Sequence, residues 1–121
     1  MVIHKGNTFY KNGTYFSYGI DYGNCLEPKG TDGCIDKKLG ACGFRLDHKV
    51  VLYNSTSLSD QVLNGTVFDF AKTNLTGVLQ NVQVLYCKFT KTFVMWFSYY
   101  DISRFATFYG VATSATSNGS F

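Results

Sequence analysis

Hydrophobic and polar positions along this chain alternate more often than they recur at helical spacing. The segment TFYKNGTYFSYGI sets two aromatic runs on either side of Lys11-Asn12-Gly13. Asn-Gly tolerates positive φ at both positions, so this is a hairpin signal, with strands expected near 8–10 and 14–20. A β-branched run follows at 49–53. TVFDF (66–70) alternates in the same way. VLQNVQVLYCKF (78–89) and TFVMWFSYY (92–100) form the strongest pair. In the second of these, Phe93, Met95, Phe97 and Tyr99 share one face, and Thr92, Val94, Trp96, Ser98 and Tyr100 share the other. A strand apolar on both faces belongs inside a doubly covered sheet or beside a partner.

Two stretches read differently. SLSDQVLNG (57–65) starts on Ser and stops on Asn-Gly, which predicts a short helix or helical turn. DISRFATFYG (101–110) has Asp101 as an N-cap, Ile102, Phe105, Ala106 and Tyr109 as a stripe, and Gly110 as a stop. It predicts a second short helix, with a strand as the alternative. The expected fold is α+β and β-dominated: a single antiparallel sheet with one or two short helices, or else a β-sandwich. One domain is expected over residues 1–112, with a flexible polar tail at 113–121.

Composition supports strands. The 121 residues include eleven Phe and nine Tyr but one Pro and one Glu (Glu27). The net charge of +3 permits an anionic partner without announcing one. No apolar run is long enough to span a membrane. The opening MVIHKGNTFYKNG lacks the apolar core of a secretion signal, which fits either a cytosolic chain or a domain cut from a longer precursor.

Cysteine chemistry concentrates in the Gly-rich, charged loop at 21–43. Cys25, Cys34, Cys42 and His48 have the ligand types of a tetrahedral zinc site. Their order resembles CCCH zinc fingers, which bind single-stranded RNA, but the gaps after Cys34 and after Cys42 are longer than that family's. The same atoms can be used as disulfides, with Cys87 tying the loop to the sheet, or as four reduced thiols. Disulfides are the leading expectation, and no cofactor is expected.

Asn12, Asn54, Asn64, Asn74 and Asn118 each begin an Asn-x-Ser/Thr acceptor triplet, in turns or near chain ends. Turn composition alone favours such triplets, yet five among eight Asn point to an extracellular or luminal domain, where disulfides persist. The alternative compartment is the cytoplasm.

Catalytic signals are sparse. His4 and His48 are the only histidines, no nucleophile signature surrounds any Cys, and no phosphate-binding Gly loop occurs. A non-enzyme is expected. Nucleic acid is the second partner class. Lys88 and Lys91 bracket a turn beside Phe89 and Phe93, and Lys37 and Lys38 add a basic pair.

The segments VLYNSTSLSDQVLNGTVFDF and VQVLYCKFTKTF resemble the β-rich, acceptor-bearing ectodomains of coronavirus-type (nidovirus) proteins. The resemblance implies a viral domain that binds host or viral partners. Binding would use exposed aromatics such as Tyr15, Tyr18, Tyr99 and Tyr100. It also leaves room for a small RNA-binding domain of a nonstructural polyprotein, with Lys88 and Lys91 on the phosphates.

Overall fold

A computed structural model describes residues 3–4, 6–21, 48–101 and 103–121. The loop cysteines Cys25, Cys34 and Cys42, together with Lys37 and Lys38, lie outside the described residues.

Two antiparallel sheets enclose one core. The first contains β1 (Ile3–His4), β2 (Thr8–Lys11), β3 (Thr14–Asp21), β4 (Lys49–Ser55) and β5 (Val62–Asp69). The second contains β6 (Val78–Cys87), β7 (Thr92–Asp101) and β8 (Ala106–Ser114), in that order across the sheet. The architecture is β-dominated, and its two sheets pack as a sandwich. A single 3₁₀ turn, Phe70–Lys72, is the helical content of the described residues.

Asn12 and Gly13 both take positive φ, so the Asn-Gly hairpin forms as its chemistry requires. The helix expected over 57–65 does not form. Residues 56–59 make bends and turns, and Val62–Asp69 is a strand that pairs with β4 through two register shifts. The second expected helix is likewise replaced. Asp101 accepts hydrogen bonds from the backbone N–H of Ser103 (2.9 Å) and Arg104 (3.2 Å), which is N-cap geometry, but it opens a turn. The chain then reverses at Phe105 (φ 51°) into β8. Pairing with β7 overrides the helical stripe, because it completes a ladder along Phe93–Asp101, almost the full length of that strand.

The core joins both sheets. Tyr18, Ile20, Val50, Leu52, Val67 and Phe68 meet Leu79, Val82, Val84, Phe93, Met95 and Phe97. Phe70 sits edge-on to Phe97 (6.4 Å, 80°) and 5.5 Å from Tyr99. Gly110 lies opposite Phe97 on β8, and a Cβ there would run into the Phe97 ring, so glycine lets that ring lie across the strand. His48 is fully buried. Its carbonyl accepts from Phe70 N–H (3.0 Å), and its Nδ1 accepts from Leu79 N–H (2.9 Å).

β1 and β2 flank the same edge of β3 and are interrupted near Gly6 and Asn7. The Asn7 side chain uses that gap. Its Nδ2 donates to the Val84 carbonyl (2.8 Å) and its Oδ1 accepts from Val84 N–H (2.7 Å). One amide thereby joins the edge of the first sheet to β6. Asn7→Asp replaces the donor with an acceptor facing that carbonyl. We expect a loss of about 1–3 kcal/mol in denaturant unfolding, with the midpoint shifted and the slope unchanged.

The tail expected at 113–121 is tied down. Residues 113–114 finish β8, the Ser117 carbonyl accepts from the Tyr18 hydroxyl (2.8 Å), and Phe121 N–H donates to Val67 (3.0 Å). Among the described residues no helix is long and apolar enough to cross a membrane.

Candidate functional site: the open face of the three-stranded sheet

In the second sheet the inward positions fill the core, which leaves the outward ones to be explained. On β6 these are Asn81, Gln83, Leu85 and Cys87, whose cross-strand partners on β7 are Ser98, Trp96, Val94 and Thr92. On β8 they are Thr107, Tyr109, Val111 and Thr113. None of these side chains is charged. Trp96 is 54% exposed and Tyr109 79%, and Leu85 and Val111 are also half exposed. Burying such side chains is worth about 1.5–3 kcal/mol each, so leaving them in water is a standing cost.

The face is not flat. A hollow of about 250 Å3 lies over Ser98, between Trp96 and Tyr109, and is bounded on the β6 side by Asn81, Gln83 and Leu85. Asn81 Nδ2 donates to Ser98 Oγ (3.2 Å), which fixes the floor. The aromatic walls follow from register. Trp96 stands opposite Val111 and Ser98 opposite Tyr109, so the two rings are diagonal neighbours on adjacent strands.

Several expected contact residues fall elsewhere. Tyr18 (3% exposed) and Tyr99 (8%) are core residues and cannot form a contact surface. Strand alternation turns both inward, and burial pushes the Tyr18 phenol well above its ordinary range. Tyr15 and Tyr100 are half-buried, with Tyr15 packed on Tyr10 at 4.8 Å. Trp96, Tyr109 and Leu85 are the exposed residues that the sequence reading did not single out. The two-faced apolarity of β7 was the available signal.

The basic residues sit off this face. Lys88 and Lys91 are exposed in the turn between β6 and β7. Phe89 beside them is 99% exposed, whereas Phe93 is in the core. The lysines therefore flank one open ring. Lys11 caps the edge of the core instead, with its ammonium 3.4 Å from the Tyr86 ring centroid.

Cys87 ends β6 as a free thiol, so the bridge expected from it to the loop is absent from the described residues. The Thr90 hydroxyl, followed by the Thr90 amide, holds the thiol below its ordinary range. For the zinc alternative only His48 is described. Its Nδ1 lone pair is taken by Leu79 N–H and is not available to a metal.

No family model, curated protein or solved structure matches this chain.

The acceptor asparagines separate from the face. Asn12, Asn64, Asn74 and Asn118 are exposed, in the first hairpin turn, on β5, before β6 and after β8. Asn54, on β4, is half-buried with its Oδ1 shielded from water. None lies on β6, β7 or β8.

Asp101, at the end of β7, fixes the turn into β8. The Ser103 hydroxyl, then the Arg104 and Ser103 amides and the Arg104 charge, hold its carboxyl below the usual carboxylate range. The folded value lies below the unfolded one. Its contribution is therefore fully present above the unfolded value of about 3.9 and is lost as pH falls through the folded value. Comparing melts of wild type and Asp101→Asn from about pH 7 to about pH 2 should show the stability difference shrinking in the acid limb only.

Proposed function

We propose that this chain is a non-enzymatic interaction module that binds a host or viral protein through the open face of the three-stranded sheet. The observation that carries this reading is an exposed, uncharged sheet face with Trp96 and Tyr109 around a hollow. Protein interface centres are depleted in charge and enriched in large aromatics, because an aromatic buries a large area at small entropic cost. The chain works outside the cytosol, in an extracellular or luminal setting. Four exposed glycan acceptors that all lie off this face support that setting, since glycans there would leave the face clear. Disulfides in the loop containing Cys25, Cys34 and Cys42 belong to the same reading. Its viral character rests on the resemblance of residue usage to coronavirus-type ectodomains.

Single-stranded RNA is the competing partner. Lys88, Phe89 and Lys91 favour it locally, but a strand of RNA needs cationic groups along its whole track, and the face has none. The test sets the two partners against each other. Protein captured with the wild-type chain in cells that make it should be lost with Trp96→Glu. A labelled oligo-uridine should show no binding that falls steeply between low and moderate salt. Salt-sensitive RNA binding removed by changing Lys88 and Lys91, with capture unaffected by Trp96→Glu, would replace this reading with the RNA one.

A further inference from the structure

We propose that the occupant of the open face is a second copy of this chain, paired across a two-fold axis. This rests on the reading of that face as an interface and names its partner. Two features of the face argue for self-pairing.

The first is charge. The molecule carries a net +3, so two copies repel one another wherever their basic residues meet. In an isologous pair each patch meets its own copy, so charges of one sign meet like charges. The outward positions of β6, β7 and β8 avoid this, because their polar members are amides and hydroxyls such as Asn81, Gln83, Thr107 and Thr113. Each of these groups donates and accepts, so each can satisfy an identical group on the other copy.

The second is shape and size. One surface presents both a protruding ring, Tyr109, and a hollow of about 250 Å3 beside it. Two such faces can exchange rings into each other's hollows. Strands of about ten residues at ~3.4 Å rise, three abreast at ~4.8 Å, give a face of roughly 500 Å2. Two faces give about 1,000 Å2 in the plane, which is near the lower bound for a specific interface. The dimer is therefore weak, with a dissociation constant on the order of tens of micromolar.

Sedimentation velocity on the purified chain from about 1 to about 500 µM should show monomer passing to dimer. Trp96→Glu should weaken self-association by roughly a thousandfold, because the change is made twice in a symmetric pair. Its melting temperature should stay near wild type. Thr66→Glu, on the other sheet, should leave the dimer intact. A second pair of variants tests the symmetry itself. Gln83→Lys with Thr113→Lys places positive charge on both edge strands, and Gln83→Glu with Thr113→Glu places negative charge there. Each variant alone should be monomeric, and an equal mixture should form a mixed dimer, whichever edges face each other.

A monomer throughout the range, or a dimer indifferent to Trp96→Glu, would overturn the proposal. So would charged variants whose mixture stays monomeric. If the chain is monomeric yet a photo-crosslinker at position 109 captures a different protein, the second copy is wrong and the interface reading stands. A monomer whose face captures nothing ends both.

Discussion

Phe70→Ala should destabilise the fold by about 3–5 kcal/mol, the usual range for removing a buried ring. Phe70 is 1% exposed and sits directly after β5, where its backbone N–H is held by the His48 carbonyl. Its ring touches Phe97 and Tyr99 on β7, and Phe97 in turn lies 5.2 Å from Phe68 on β5. Removing it opens a void where the two sheets meet, with rigid rings around it that cannot collapse inward. Stability of a chain this size is itself about 5–15 kcal/mol, so the variant should sit close to half unfolded at raised temperature. Urea unfolding followed by far-UV signal and by the single tryptophan checks this. A loss below about 1 kcal/mol would mean that the sheets do not share this core.

Trp96→Ala should do the reverse. Its ring stands on the solvent side of β7 with Gln83 and Val111 as cross-strand neighbours, so the fold should lose under about 1 kcal/mol, in the range of surface substitutions. Binding should lose about 2–4 kcal/mol, the range of an interface anchor, and Trp96→Glu should lose more by placing a charge in a dry contact. Tyr109→Ala should also weaken binding, because the Tyr109 ring is the other wall of the hollow and is exposed in the free chain. Because Trp96 is the only tryptophan, its emission reports from the proposed contact itself, and a blue shift on binding is expected. Equal losses in stability and binding would identify Trp96 as a packing residue and remove the distinction between the two faces of β7.

Much of the strand pattern was legible in the sequence. Asn12-Gly13 announced its hairpin, and the alternation in 78–100 marked both long strands. The two expected helices failed for a shared reason. SLSDQVLNG and DISRFATFYG have locally sound start and stop residues, but each lies beside a strand with an edge to fill, β4 and β7. A ladder spanning many residues outweighs the caps of a short helix. Asp101 kept its capping hydrogen bonds while the element after it changed.

Inward and outward positions were harder to read, because irregular register shifts the alternation. Leu79 and Val82 are both buried on either side of the irregularity at Leu79/Asn81, which strict period two does not allow. Tyr18 and Tyr99, offered as surface groups and found in the core, follow the regular alternation of their own strands. A tyrosine's polar tip reveals nothing about which face its strand buries. The roles of Asn7 and His48 were not legible at all. Each acts through a backbone group on another strand, 77 residues away for Asn7 and 31 for His48, and no local pattern encodes such a contact. The open face itself was half legible. Apolar residues on both sides of β7 implied either a second cover or a partner, and Trp96 is exposed, with no second cover over it among the described residues.

The claim that this face is a protein-binding surface is tested most directly by site-specific photo-crosslinking in the cells that make the protein. A crosslinking residue at Tyr109 or Leu85 would report from the face, and one at Leu63 on β5, also exposed, would report from the other sheet. The account predicts adducts of one discrete mass from positions 109 and 85 and none from position 63. Adducts from position 63 alone, or none from the face, would contradict it.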